Sequence, residues 1–270
     1  MGVITISRGS YSKGKEIAEK LSQNLGYECI SRDILLETSA HFNIPELKLV
    51  RAIHDAPSIF ERFKHGKEKY INFIREAFLE HIRKGNVVYH GLAGHFLCKG
   101  IPNILKIRII ANLEDRIQEE MRRENISEQE ARYILKKDDD ERRKWSMYLY
   151  GVDTNDPALY DIVLHIDNLK VDHAVGILTD MAKLPSFQTT PESKKIMDDY
   201  HLAAKAQEKL FDGFPSAEVR CKNGVVYVTI ETALSLEQEF TDKIINTLTS
   251  NGIEGIKQVK VNVIPFESGD

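Results

Sequence analysis

Cysteine is scarce: Cys29, Cys98 and Cys221 stand far apart, odd in number and without a C-x-x-C pair. That excludes a disulfide framework and a thiolate zinc site, and fits reduced thiols. The nine histidines are scattered, without paired metal-ligand spacing. Long apolar runs are missing, so no segment reads as a membrane span. The opening residues read as a buried strand rather than a charged stretch ahead of an apolar one, so no signal peptide is expected. Charge of one sign is lacking as well. Lys and Arg number 37 against 41 Asp and Glu, a net charge of −4, which offers no basic surface for nucleic acid. There is no internal repeat and no low-complexity tract. These absences point to a soluble, cytoplasmic chain, and 270 residues suffice for one substantial core plus a smaller module.

What is present begins at once. Ile4-Thr5-Ile6 is a β-branched run, and Gly9-Ser10-Tyr11-Ser12-Lys13-Gly14-Lys15-Glu16-Ile17 follows it. Ile17, Ala18, Leu21 and Leu25 then recur at helical spacing until Gly26. In a strand–loop–helix setting, G-x-x-x-x-G-K reads as a phosphate cradle. Successive N–H groups point into one concavity, the helix dipole adds partial positive charge, and Lys15 adds a full one. A chance loop with two glycines is the alternative. The Ser or Thr that usually closes the pattern and binds Mg²⁺ is replaced by Glu16.

Further along, Cys29-Ile30 reads as a short strand, and residues 33–64 as short helices broken at Pro45 and Pro57. Residues 66–84 read as a long amphipathic helix. Val87–Tyr89, Ile104–Ala111 and Asp161–Ile166 read as strands, with helices over 113–124 and 172–183. Ser127 with Glu130 forms a capping box for another helix. Strands alternating with helices over 3–183 imply a parallel, doubly wound sheet. Ligands on such sheets sit beyond the carboxyl ends of the strands, where Gly9–Glu16 and His90-Gly91 both lie. Residues 184–192 read as a linker, and a helix of about twenty residues follows. The alternating 217–222, the Lys222-Asn223-Gly224 turn, Val225–Ile230, a helix over 236–250 and a strand over 256–264 read as a small ββαβ module.

The middle of the chain is densely charged. Residues 122–144 carry eight basic and seven acidic side chains, and a solvated helix face would look similar. Yet Ala131, Leu135, Asp138, Arg142, Trp145 and Leu149 fall on one helical stripe. Asp138 and Arg142 therefore point where apolar neighbours point, which is costly unless solvent or a ligand completes them. A lid closing over phosphates would do so, its arginines neutralising the transferring group and its closure excluding water.

Together these pieces resemble the nucleoside monophosphate kinases, most closely the cytidylate kinase-like family. Ile6-Ser7-Arg8, Ser12 and Gly14 to Ala18 match I-S-R-x-x-x-S-G-G-[RK]-E-I-A. Gly85-Asn86 through Gly91 matches G-N-x-V-x-x-G, Pro102 to Ile107 matches P-N-[VI]-L-[KR]-[VI], and Leu113 to Arg116 matches L-E-D-R. Lys137, Asp140, Arg142 and Arg143 resemble the K-x-x-D-x-R-R lid, and Asp156-Pro157 with Tyr160-Asp161 matches D-P-x-x-Y-D.

The resemblance covers about residues 3–183. It implies a P-loop NTPase-type parallel sheet with flanking helices and a helical lid, using ATP and Mg²⁺. ATP is expected on residues 9–17, with Lys15, Arg142, Arg143 and Arg132 acting on the transferring phosphoryl group. A nucleoside monophosphate is expected near Arg8, Asp33, His90, Gly91 and Lys137, with Glu16 as the metal ligand. Asp33 also reads as a helix cap, Arg8 as a partner for the lid, and His90 as a packing residue. Two departures stand out: Leu92 occupies the place of a family Arg, and His90 that of an Asp in related kinases. They keep open a nucleotide-binding regulator with little or no kinase activity, and a different phosphorylated or hydroxyl-bearing acceptor. The expected division is 1–184 as the kinase-like domain, 185–213 as linker and connecting helix, and 214–270 as the small α+β domain. The last resembles a BON-type domain, a class associated with membranes or other macromolecules; a homodimer contact and a regulatory role are both open for it.

Overall fold

A computed structural model describes residues 2–10, 12–31, 65–91, 93–250 and 252–265. The short helices expected over 33–64, and with them Asp33, lie outside the described residues, as do Tyr11 and Leu92. By contacts the chain forms two compact units. One comprises 1–63 with 84–190, the other 64–83 with 191–270.

The first unit is built on a five-stranded parallel sheet. Its strands are β1 (Val3–Arg8), β2 (Glu28–Ser31), β3 (Val87–His90), β4 (Ile104–Ala111) and β5 (Ile162–Ile166), in the order β2-β3-β1-β4-β5. The opening strand is therefore central, with Val3 opposite Val87 on one side and Ile104 on the other. Burial on both faces explains why the three inner strands, β3, β1 and β4, read as near-continuous apolar runs, while the edge strand β5 alternates exposed and buried residues. Helix α1 (Gly14–Leu25) packs Ile17, Ala18 and Leu21 against Ile4, Ile6, Val88, Leu105 and Ile107. Gly26, at φ 66°, ends it in the left-handed conformation that glycine adopts at little cost.

Helix α4 (Leu113–Glu124) and helix α5 (Glu128–Tyr150) form a helical hairpin with a small core of its own, Ile117, Ala131 and Leu135. The capping box at α5 is present: the Glu130 amide donates to Ser127 Oγ, and the Ser127 amide donates to the Glu130 carboxylate. Trp145 and Leu149 of the expected stripe are buried, and Asp138 and Arg142 are half-buried. Helix α6 (Val171–Ala182) closes the unit against α1, with Ala174, Val175 and Leu178 in the shared core.

The second unit holds helix α2 (Gly66–Ile82), helix α7 (Pro191–Leu210) and a ββαβ module. In it the hairpin β6 (Glu218–Lys222) and β7 (Val225–Thr232) precedes helix α8 (Glu237–Ser250). Strand β8 (Gln258–Pro265) then runs parallel to β7. Its core joins Ala206, Leu210 and Phe214 to Val226, Val228, Ile230, Ile244 and Leu248. Asp199 of α7 secures the hairpin turn: its carboxylate accepts the amides of Asn223 at 2.7 Å and Gly224 at 2.9 Å, and the Cys221 thiol at 3.3 Å. Among the described residues no helix is long and apolar enough to cross a membrane. A four-residue helix, α3 (Gly94–Leu97), follows β3 in the first unit.

Candidate functional site

β1 delivers the loop to the carboxyl edge of the sheet. Gly9 donates its amide to the Ile109 carbonyl at 3.3 Å, which ties the loop to β4. Ser12 Oγ lies 3.0 Å from the Gly9 carbonyl oxygen and 3.1 Å from that of Ile109. Lys13 then turns the chain at φ 65°, a conformation uncommon for a residue with a side chain. No side chain caps α1. Helix geometry leaves the N–H groups of its first turn without intrahelical acceptors, and the dipole makes that end partially positive.

Gly14 is where the loop and the strand meet most closely. A Cβ there would lie 2.7 Å from Arg8 Cβ and 2.8 Å from Arg8 Cδ. The Arg8 stem thus occupies the space beside the first helical residue, and its side chain lines a cleft of about 190 Å³. Ser7, Gly9 and Gly91 line the same cleft from the sheet, Arg108 from β4, and Asp139, Asp140, Arg142 and Arg143 from α5. Four arginines against two carboxylates make it electropositive.

Arg108 is held from two sides, donating to Ser7 Oγ at 3.2 Å and to Asn155 Oδ1 at 2.6 Å, with its guanidinium 5.7 Å from the Tyr160 ring centre. The Tyr160 hydroxyl donates to the Thr154 carbonyl at 2.9 Å. His95 lies 4.8 Å, centre to centre, from the same ring. Burial, together with the Arg108 and Lys106 charges, brings the His95 imidazole down to about 3, so it stays neutral at physiological pH. Neither Arg108 nor His95 was anticipated from sequence. The signal for the former was an Arg placed, with Lys106, inside the mostly apolar run ILKIRIIA, since buried charge in a central strand requires partners.

The loop carries a protein carboxylate. The Ser10 amide donates to Asp139 Oδ1 at 3.3 Å, and Arg116 Nη2 lies 2.7 Å from Asp139 Oδ2. Arg116 Nε also donates to the Ser10 carbonyl at 2.6 Å. A side chain of the helical hairpin therefore holds a loop amide of the kind that binds phosphate.

The expected site residues divide. Arg8, Gly9, Gly91, Arg142 and Arg143 meet in the cleft, where Arg143 pairs with Asp153 at 3.0 Å. Lys13 lines a second cleft of about 400 Å³ with Arg116, Glu119, Asp167 and Lys170, and donates to Glu119 at 2.9 Å. That bond holds the Glu119 carboxyl below its ordinary range, burial opposing it. Lys15 lines neither cleft; its side chain is 64% exposed and lies 3.8 Å from Glu19. Glu16 lies 3.4 Å from Lys20, one turn along the helix. Arg132 pairs with Glu114 and Glu128 on the hairpin surface, and Lys137 is exposed. His90 is buried at the end of β3, and Ser10, Ser12, Gly14 and Ile17 are buried around the loop. For a hard cation the carboxylates lining the cleft are Asp139 and Asp140, while Glu16 lines neither cleft.

A cytidylate kinase of Pyrobaculum aerophilum is 26% identical over 182 residues, covering 67% of this chain and 92% of that protein. A cytidylate kinase of Methanosarcina acetivorans is 38% identical over 100 residues, 36% of this chain and 54% of that one. The crystal structure of an uncharacterized protein from Eubacterium ventriosum shares the fold, with a TM-score of 0.51 at 20% identity, covering 67% of this chain and 98% of that chain. Residues 3–168 match the cytidylate kinase-like family as a whole, and with more than half of its length so matched the chain belongs to that family.

Proposed function

We propose that this chain is an ATP-dependent phosphotransferase that moves the γ-phosphoryl group to a nucleoside monophosphate. The observation that carries the reading is the arginine-lined cleft at the carboxyl ends of β1, β3 and β4, beside the uncapped N-terminus of α1. In it Arg8, Arg142 and Arg143 neutralise the donor and transferring phosphates and the loop amides hold the triphosphate, which Lys15 reaches by turning away from Glu19. Lys13 and Arg116 line the neighbouring cleft, which takes the remainder of ATP. The acceptor phosphate is already anionic, so no side-chain base is needed; alignment and charge supply the rate. Mg²⁺ supplies charge neutralisation between phosphates, and Asp140 and Glu16 are the carboxylates that would hold it. Purified protein incubated with ATP, Mg²⁺ and each monophosphate in turn tests the reading. Transfer to one or more monophosphates, lost in Arg8→Ala and Arg142→Ala, supports it; no transfer to any acceptor overturns it.

A second reading rests on a specific observation, the Asp139 carboxylate on the Ser10 amide. With a loop donor already engaged, and no hydroxyl following Lys15, the protein acts as a nucleotide-binding regulator whose C-terminal ββαβ module is the output. ATP binding without turnover in the same assay, with a change in the amide exchange of residues 214–265, selects this reading.

A further inference from the structure

The second unit contains three donor groups that the phosphotransfer reading leaves unused. Glu76 and Glu80 stand one turn apart on α2, and His201 reaches them from α7. His201 is 2% exposed and the Glu76 side chain 9%. His201 Nε2 lies 2.8 Å from Glu80 Oε2 and 3.5 Å from Glu76 Oε1. All three donor atoms lie within 4.8 Å of one another.

The 2.8 Å approach is not a hydrogen bond. Nε2 and Oε2 are both buried, and neither makes a hydrogen bond, so the N–H and the oxygen are not aligned. Buried polar atoms left without a partner are costly, and two carboxylates drawn to one buried imidazole need a compensating charge. Donors about 2.1 Å from a common centre stand about 3.0–3.5 Å from one another in tetrahedral or octahedral geometry, and the two His201 distances, 2.8 and 3.5 Å, lie close to that range. One cation stands near: Arg83 Nη1 lies 3.7 Å from the same Glu80 oxygen, on the more exposed side of the cluster, and offsets one of the two carboxylates.

We propose that Glu76, Glu80 and His201 bind a divalent transition-metal cation that links α2 to α7. One imidazole with two carboxylates suits Zn²⁺ or Mn²⁺ rather than Mg²⁺ or Ca²⁺, which prefer all-oxygen ligation. The Glu80 side chain, 36% exposed, opens a route for the ion and for a water in the fourth position. The sequence hides this site because the two ligand elements are more than a hundred residues apart and only a pair of glutamates at helical spacing marks it.

The test is Zn²⁺ titration of the full-length, chelator-stripped protein, followed by calorimetry with excess Mg²⁺ present to fill any magnesium site. One equivalent is expected to bind, to raise the thermal midpoint, and to give an X-ray absorption spectrum of mixed imidazole and carboxylate ligation. Glu80→Gln and His201→Gln should each weaken binding at least tenfold; if His201→Gln does not fold, Glu80→Gln on its more exposed side chain decides. Absence of binding to the wild-type chain overturns the proposal and leaves the cluster as a contact of His201 with two carboxylates that holds no ion. Binding unchanged in the variants overturns it too, by locating the ion elsewhere. Arg8→Ala, which disables the proposed phosphotransfer, leaves the expected Zn²⁺ result unaltered, so the two readings fail separately.

Discussion

Replacing Asp139 by Asn is expected to tighten ATP binding. In the structure this carboxylate accepts the Ser10 amide at 3.3 Å and pairs with Arg116 at 2.7 Å. An incoming phosphate must displace it from the amide and repel it if it stays. A charge-assisted hydrogen bond contributes roughly 1.5–3 kcal/mol when enclosed. Here Arg116 is 11% and Asp139 39% exposed, and solvent screening lowers the combined contribution to about 1–2 kcal/mol. Apparent affinity scales with the fraction of molecules whose site is open, and about 1.4 kcal/mol is a factor of ten. Asp139→Asn keeps the shape, removes the charge and releases Arg116 toward phosphate, so the dissociation constant for ATP should fall by roughly five- to thirtyfold. Calorimetry at low and high salt measures it. The difference between wild type and variant should narrow at high salt, because the pair it removes is partly screened. Equal or weaker binding by the variant would refute the displacement argument.

Three further outcomes follow from the same geometry. Gly14→Ala should cost about 1–3 kcal/mol in urea unfolding through overpacking against Arg8, even though alanine is the better helix former; wild-type stability would show that the Arg8 stem yields freely. His95 is held neutral, near 3 in the fold against the ordinary 6.5. The unfolded chain therefore binds the extra proton between those values, and stability falls as pH drops below about 6.5, by roughly 1 kcal/mol per pH unit. His95→Gln should flatten that part of the pH–stability curve, and parallel curves for the two proteins would reject the assignment. The Cys221 thiol, pushed up to about 12 by burial and by Asp199, should resist iodoacetamide at pH 8 in the native protein, and Asp199→Asn should speed its alkylation several-fold; equal rates would mean that Asp199 does not control it.

Much of the fold was legible because its signals are local. The β1 run, the Gly26 stop, the Ser127/Glu130 capping box and the Asn223-Gly224 turn each depend on a few adjacent residues, and each is found where expected. Strand order was not legible, since it depends on which runs are buried on both sides. Within the site, the stripe through Asp138 and Arg142 correctly marked an inward face of α5, yet the carboxylate on the loop belongs to Asp139, one residue on. Periodicity fixes a face to within about 100°, the width of a helical stripe, and hydrogen-bond partners are decided at finer resolution than that. Lys15 shows the same limit. The spacing marks it as the phosphate-facing residue, but the close approach of Arg8 to Gly14 depends on tertiary geometry that no motif encodes. Helix α2 reads as part of the leading α/β set by its place in the chain, while its contacts group it with α7. Sequence order carries no information about that choice.

The carboxylate of Asp199 bears on how far the tail of this protein is autonomous. It supplies acceptors for two amides of the β6–β7 turn from a helix that ends before the strands begin, and Ala206 and Leu210 of that helix fill the floor beneath the sheet. An excised peptide starting at residue 214 would open that floor to water and strand two N–H donors at once. A piece that keeps the sheet closed must include α7, so that helix serves as the module's keel rather than as its tether.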